Sequence, residues 1–106
     1  MNEKQWFVYM IRTHDAQLYT GITTDIQRRW HEHLSGKGGA RYFRARKPQA
    51  LCFLEEHLNR STASKREAAI KKLSKTEKEL LVFTGIVPEG LTLTMNATAD
   101  DPTTNN

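Results

Sequence analysis

Tyrosine, arginine and histidine follow one another closely between residues 19 and 33, where the sequence reads YTGITTDIQRRWHEH. Arg29 lies ten residues after Tyr19, and His33 lies four residues after Arg29. A guanidinium binds an anion through charge-assisted hydrogen bonds that can be paired, whereas phenol and imidazole groups can transfer protons. A cation at the edge of the core, facing a strand end that carries a tyrosine hydroxyl, predicts a site for an anion.

A helix is predicted directly after the Tyr-Thr-Gly segment, and its apolar stripe decides where the two adjacent arginines point. Asp25 is a suitable N-cap, and Gly36 is a suitable C-terminal stop. Apolar residues recur every four positions, at Ile26, Trp30 and Leu34. At about 100° per residue, Arg29 and His33 fall on the flank of this stripe, whereas Arg28 falls nearly opposite and should face water.

Three segments have the composition of strands. Gln5–Arg12 is rich in β-branched and aromatic residues, and Gln17–Gly21 follows it after a short polar turn, which predicts an antiparallel hairpin. Tyr9 and Tyr19 then lie on neighbouring strands and can face one cleft. Taken alone, a strand tyrosine is more often a half-buried core residue than a catalytic one. A third strand is predicted over Ala50–His57.

The segment after the third strand has two interpretations, which give Glu67 different roles. A helix that begins at Ser61 or Thr62 puts Glu67 within an apolar stripe. The other members of that stripe are Ala63, Ile70 and Leu73. A capping box over Ser64–Glu67 would instead start the helix at Lys65 and make Glu67 a structural residue. Spacing alone does not separate the two interpretations.

The predicted fold is one small α/β (α+β) domain with a three-stranded, mainly antiparallel sheet flanked by three helices. A capping box over Ser74–Glu77 starts the third helix, which should end at Gly85. We expect residues 1–84 to form the domain and residues 85–106 to form a disordered tail, because the composition shifts to Thr, Asn, Asp and Gly after Pro88. Apolar and polar residues alternate over Leu91–Met95, which is compatible with an additional edge strand.

Positive charge is concentrated in one part of the chain. The formal net charge of the 106 residues is +4, but the stretch from position 28 to position 47 holds seven basic residues and one acidic residue, Glu32. Such a patch suits a polyanion, although a solvated basic loop is an alternative. Glycines let a backbone approach a phosphate, and Tyr42 and Phe43 can pack on a sugar or base. The basic residues are Arg28, Arg29, Lys37, Arg41, Arg44, Arg46 and Lys47.

The segment Tyr19-Thr20-Gly21, with Arg29 and His33 behind it, resembles the second half of the GIY-YIG (URI) nuclease signature. Phe7-Val8-Tyr9 resembles the first half. The similarity covers roughly residues 5–83 and is greatest to the small stand-alone GIY-YIG proteins of bacteria. The chain departs from the signature where Phe7 replaces the first Gly and Thr20 replaces the second Ile.

The resemblance implies metal-dependent hydrolysis of nucleic-acid phosphodiester bonds, by a DNA endonuclease of repair or recombination. It assigns Tyr19 as general base, Arg29 as phosphate clamp and Tyr9 as a residue that orients water. It gives His33 a hydrogen bond to Tyr19 or to a phosphate, and it makes Glu67 the sole protein ligand of one Mg²⁺ or Mn²⁺. The residues expected to contact nucleic acid are Gly21, Arg28, Lys37, Arg41, Arg44, Arg46 and Lys47.

Two other functions fit the same residues. A catalytically silent module of the same fold would bind nucleic acid without turnover, and an adaptor would bind an acidic protein through the basic loop. We expect DNA rather than RNA as the partner, and a monomer or a weak homodimer. A single cysteine, Cys52, a short N-terminal apolar segment and the lack of a long apolar stretch predict a cytoplasmic protein that does not enter a membrane.

Overall fold

One antiparallel sheet with strand order β2-β1-β3 forms the centre of the protein. The computed structural model describes residues 5–36 and 38–85. The strands are β1 (Trp6–Thr13), β2 (Leu18–Thr23) and β3 (Pro48–His57). The helices are α1 (Ile26–Ser35), α2 (Tyr42–Ala45), α3 (Arg60–Lys71) and α4 (Lys75–Thr84). The predicted fold class is confirmed, and the four-residue helix α2 is an addition to it.

Successive side chains of a strand point to opposite faces of the sheet, and the residues of β1 that point to each face are apolar. The central strand β1 is therefore covered on both faces. Tyr9 and Ile11 pack on one face against α1 and α2, in a cluster completed by Ile26, Trp30 and Phe43. Val8 and Met10 pack on the other face, in a cluster completed by Phe53, Ala63 and Ile70. Helices α1 and α3 therefore lie on opposite faces of the sheet.

Helix α1 has the predicted ends but a different buried stripe. The Asp25 side chain accepts a hydrogen bond from the Arg28 amide, and Gly36 ends the helix with a left-handed φ of 82°. Leu34 was expected in the core, but it is 46% exposed, whereas His33 is only 1% exposed. The core-facing stripe is thus completed by an imidazole, which finds polar partners within the protein.

Helix α3 begins earlier than either interpretation of the sequence predicted. Asn59 is its N-cap and accepts a hydrogen bond from the Thr62 amide. The capping box at Ser64 is therefore wrong, because Ser64 lies inside a helix that is already formed, and Glu67 does not cap it. The predicted start of α4 is confirmed, since the Ser74 and Glu77 side chains each bond the other's backbone amide.

The segment between α1 and β3 is more ordered than the predicted loop. Phe43 in α2 is 4% exposed and packs into the first cluster, so the expectation that it contacts a sugar or base is wrong. Gly39 packs directly on α1, because a Cβ at this position would lie 2.7 Å from the Cα of His33. The glycines of this segment bring it onto the helix rather than leaving it open.

Strand β2 continues through Gly21 to Thr23, so Gly21 lies within a strand and not at a turn. Gly21 pairs with Tyr9 across the two strands. A Cβ on Gly21 would lie 2.6 Å from the Tyr9 hydroxyl oxygen and 3.1 Å from Cε2 of Tyr19. The Tyr9 ring therefore occupies the space that a side chain at position 21 would need.

Several predictions fall on parts of the chain outside the described residues, namely Lys37, the tail after Gly85 and the strand over Leu91–Met95. Between residues 5 and 85, Lys37 aside, no helix combines the length and the apolar character that crossing a bilayer requires.

Replacing Gly21 with Ala should destabilise the protein by about 1–3 kcal/mol, because the added methyl group overlaps the buried Tyr9 ring. Urea unfolding of the parent, Gly21→Ala, Tyr9→Leu and the double variant measures this in one cycle. We expect Gly21→Ala to cost much less in the Tyr9→Leu background, where the ring is missing. An equal cost in both backgrounds would show that contact with Tyr9 is not the reason for the glycine.

Candidate active site

Four of the sequence-predicted site residues come together on the α1 face of the sheet. The Tyr9 hydroxyl lies 2.8 Å from Nε2 of His33. The rings of Tyr9 and Tyr19 have centroids 6.2 Å apart, and those of Tyr19 and His33 lie 5.5 Å apart. The Arg29 guanidinium is close enough to interact electrostatically with Tyr9. β1, β2 and α1 thus each contribute to one cluster of phenol, imidazole and guanidinium groups.

His33 is held in one tautomer by the backbone. The amide of Ala40 donates to Nδ1 over 3.1 Å, so Nδ1 is unprotonated and the ring proton resides on Nε2. Nε2 therefore donates to the Tyr9 hydroxyl. Burial, reinforced by the charge of Arg29, lowers the pKa of His33 to about 4, so the ring is neutral near pH 7. His33 thus hydrogen-bonds Tyr9, whereas the family resemblance implied Tyr19 or a phosphate as its partner.

The Tyr9 hydroxyl consequently has its own proton left to donate. The neighbouring phenol of Tyr19, whose ring packs beside that of Tyr9, is the candidate acceptor. Burial, reinforced by Tyr19 and opposed by Arg29, raises the pKa of Tyr9 far above its ordinary value. Tyr9 is thus a fixed hydrogen-bond donor rather than a base.

Arg29 has two partners from its own neighbourhood. Its Nη1 donates to Glu32 Oε1 over 2.8 Å and to the Gly38 carbonyl over 2.8 Å. Burial alone would lower its pKa, but the hydrogen bonds to Glu32 and Tyr9 outweigh burial and leave the pKa raised. About one quarter of the side chain stays exposed, since its relative exposure is 26%. The guanidinium is therefore charged, oriented and still open to solvent.

The next arginine points away, as the helical spacing predicted. Arg28 has a side chain that is 57% exposed, and its Nε lies 3.5 Å from the carboxylate of Glu32. Glu32 thus faces both arginines and is the carboxylate closest to the candidate anion site among the described contacts.

The other basic residues form a surface beside the cluster, which we call the 41–47 surface. Arg41, Arg44, Arg46 and Lys47 are exposed. Arg46 pairs with Asp15 over 3.0 Å, and its guanidinium lies 5.3 Å from the centre of the Tyr42 ring. Tyr42 in turn packs against Tyr19, with ring centroids 5.3 Å apart. The positive surface is therefore continuous with the tyrosine cluster.

Glu67 occupies a different place from the other four residues. It lies on α3 between the buried residues Ala63 and Ile70, at a spacing that gives the three one helical face. Its side chain is 23% exposed, and Oε2 lies 3.1 Å from Nζ of Lys71. Because α3 covers the face of the sheet opposite Tyr9, none of the described hydrogen bonds or ion pairs joins Glu67 to the tyrosine cluster.

Two contributors to this cluster were not predicted from the sequence. The Ala40 amide orients His33, and the Gly38 carbonyl orients Arg29. Backbone groups carry no residue-type signal, so only the Gly38-Gly39 pair after the helix end indicated a close chain approach.

Protonation of His33 should make stability depend on pH. The unfolded chain binds a proton near pH 6.5, whereas the folded protein resists protonation down to about pH 4. Stability is therefore complete above about pH 6.5 and falls as the pH drops toward about 4. Urea unfolding should show a smaller loss between about pH 7 and about pH 5 for His33→Gln than for the parent. His14→Gln, in an exposed turn, should behave like the parent; equal slopes for His33→Gln and the parent would contradict the assignment.

Comparison with known proteins adds the family. A model of the GIY-YIG catalytic domain matches residues 5–80. UPF0213 protein DP2720 of Desulfotalea psychrophila is 56% identical over 77 residues, which are 73% of this chain and 70% of that protein. UPF0213 protein YhbQ of Escherichia coli is 49% identical over 82 residues, which are 77% of this chain and 81% of that protein.

A solved structure agrees with these sequence matches. The solution NMR structure of UPF0213 protein BH0048 from Bacillus halodurans has a TM-score of 0.50 and 39% identity, and it covers 76% of this chain and 86% of that chain. Since the family model spans most of the described residues, the chain belongs to the GIY-YIG catalytic-domain family, with the small stand-alone UPF0213 proteins as its relatives.

Proposed function

We propose that this protein hydrolyses nucleic-acid phosphodiester bonds as a metal-dependent GIY-YIG endonuclease, with DNA as the favoured substrate. The observation that carries the proposal is the meeting of Tyr9, Tyr19, Arg29 and His33 in one cluster that borders a positive surface. Taken singly, each of these residues fits a structural role; together they supply proton transfer and charge stabilisation for one phosphate.

Arg29 is the phosphate clamp. Its guanidinium is charged and partly open to solvent, and Glu32 and Gly38 hold it in one orientation. A phosphate oxygen accepts the same hydrogen bonds as the carboxylate of Glu32, so substrate would take the place of Glu32 on this guanidinium. The bond strengthens as negative charge develops on the phosphoryl oxygens.

Tyr19 is the general base, and Tyr9 supports it. Tyr9 keeps its proton because its pKa is raised by burial, and His33 donates to its oxygen. The Tyr9 proton would then be donated to the neighbouring Tyr19, and a donated hydrogen bond favours negative charge on the accepting oxygen. Tyr9 and His33 thus act through Tyr19 and do not themselves take the proton of the attacking water.

Glu67 fits a metal site with a single protein ligand. Within residues 5–36 and 38–85, no three His, Cys, Asp or Glu side chains group closely enough to hold a metal ion. A lone carboxylate, one quarter exposed at the edge of a helix, suits a hard cation such as Mg²⁺ or Mn²⁺ that keeps most of its water. Such an ion, when bound, supplies Lewis acidity to the phosphate oxygens.

The outer edge of β2 in the described sheet is where the tyrosines and Glu67 would act on one phosphate. β2 is an edge strand that carries Tyr19 on one face, and α3 packs against the same strand from the other face. A phosphate at this edge can be approached from both faces. Basic residues of the 41–47 surface would then hold the flanking backbone.

A cytoplasmic setting and a role in repair or recombination complete the proposal. The lone thiol of Cys52 donates to the Met10 carbonyl, and burial raises its pKa to about 11, which makes it an unreactive thiol suited to a reducing compartment. The family resemblance supplies the suggestion of repair or recombination.

The central test is cleavage of DNA with Mg²⁺ or Mn²⁺ present or chelated. Arg29→Ala should lower the rate by about 10²-fold or more, because it removes the charge that stabilises the phosphoryl oxygens. Arg28→Ala is its matched control, since Arg28 is the adjacent arginine and faces water. Glu67→Gln should abolish cleavage and weaken Mn²⁺ binding measured by electron paramagnetic resonance, whereas Glu56→Gln on β3 should do neither. Cleavage at the parent rate by both Arg29→Ala and Glu67→Gln would overturn the proposal.

The Glu32–Arg29 pair favours one alternative, a catalytically silent binding module. A guanidinium already paired with a protein carboxylate can exchange that partner for a nucleic-acid phosphate without any turnover. Such a module would bind DNA equally well with and without a chelator and would release no product. Metal-dependent product formation excludes it.

The same pair makes a prediction about affinity. Glu32→Gln should tighten DNA binding roughly two- to fivefold in metal-free buffer, because an exposed ion pair of up to about 1 kcal/mol no longer competes with the phosphate. Fluorescence anisotropy with labelled DNA measures the effect, and Glu56→Gln serves as the control for loss of one negative charge. Equal affinities for these two variants would show that Glu32 does not compete for Arg29.

A further inference from the structure

A second basic region lies between residues 65 and 78, outside the site described above. It contains six Lys or Arg residues and two acidic residues. It spans the end of α3 and the first turn of α4. The basic residues are Lys65, Arg66, Lys71, Lys72, Lys75 and Lys78.

Two of these lysines line a cavity at the start of β2. Gln17, Leu18, Lys75 and Lys78 enclose about 90 Å³. Nζ of Lys75 donates to the Ala16 carbonyl over 2.6 Å, so this ammonium group is held at the rim. A cavity of this size with two ammonium groups beside an amide side chain suits a phosphate group.

The acidic residues of α4 offset only part of the positive charge of this cavity. The carboxylate of Glu77 accepts from the backbone amide of Ser74, which completes the capping box. The carboxylate of Glu79 accepts two hydrogen bonds from the Arg12 guanidinium, each 2.8 Å long. Glu77 is therefore engaged in the cap, whereas Glu79, which Arg12 holds, also lies close enough to Lys75 to interact with its charge.

The turn between β1 and β2 connects this cavity to the 41–47 surface. On one side of the turn, the His14 amide donates to the Lys47 carbonyl over 3.0 Å, and Arg46 pairs with Asp15. On the other side, Lys75 bonds Ala16. The two basic regions, far apart in sequence, thus meet at three consecutive residues.

From this juxtaposition we infer that the cavity is a phosphate subsite, at which a nucleic-acid strand crosses the β1–β2 turn between the 41–47 surface and α4. The inference rests on the proposed function and extends it. Gln17 lies two residues before Tyr19 on the chain entering β2, a distance of about 7 Å, which equals the rise of about two nucleotides on one strand. A phosphate in the cavity would therefore lie at the same edge strand as the one that faces Tyr19, but on the α4 side of the sheet, where Leu18 packs.

DNA binding without divalent metal tests the subsite separately from catalysis. The slope of log affinity against log salt should fall by about one for Lys78→Gln, because one phosphate contact is lost. Lys65→Gln is the matched control, since it removes one positive charge from an exposed position on α3, and it should keep the parent slope. Lys78→Arg should also keep the slope, which separates loss of charge from loss of folding.

The outcomes distinguish the subsite from the function. If the parent binds DNA and Lys78→Gln has the same slope as Lys65→Gln, the subsite is wrong and the proposed function is untouched. If the parent binds no DNA, both fall. If Lys78→Gln weakens the binding of poly-glutamate but leaves the salt slope of DNA binding equal to that of Lys65→Gln, the cavity serves an acidic protein, and the phosphate subsite is overturned.

Discussion

The buried hydrogen bond between His33 and Tyr9 is the interaction on which the candidate site depends. Both side chains are 1% exposed, so neither can exchange its partner for water. The Ala40 amide sets the tautomer of His33, which makes the imidazole a donor and leaves the Tyr9 proton for another acceptor. A backbone group in the segment after α1 thereby determines the direction of the hydrogen bond between α1 and β1.

Arg29 is also held in place by neighbouring groups of the protein, and here the group that is fixed is a charge. Glu32 and Gly38 fix the guanidinium before any substrate arrives, and Glu32 also offsets the charge of Arg28. Without Glu32, the adjacent Arg28 and Arg29 would concentrate positive charge at the edge of the core, above the buried Tyr9. The site is therefore preorganised for an anion, and the carboxylate of Glu32 occupies it in this structure.

The helical and strand periodicities predicted most of the architecture. The exceptions arose where neighbouring residues were equally suited to cap a helix or to face the core. The starts of α1 and α4 were readable because capping residues act within one turn. The start of α3 was missed because Asn59 caps as well as Ser61 or Ser64 does, and spacing does not rank them. Leu34 was assigned to the core on hydrophobicity, but His33 occupies that position because Tyr9 and Ala40 satisfy both of its ring nitrogens.

By itself, the sequence determined which side chains are available for chemistry, since Tyr19, Gly21, Arg29 and His33 follow a recognisable spacing, and it determined the antiparallel hairpin that brings Tyr9 beside Tyr19. Only the tertiary structure decided who donates to whom, that Gly21 makes room for a ring, and that Glu67 lies behind the sheet from the tyrosines. The physical reason is the distance along the chain over which each interaction acts. Periodicity reports neighbours within a helical turn or a pair of strands. The direction of a hydrogen bond and the sheet face that a distant helix covers depend instead on contacts between segments far apart in the chain.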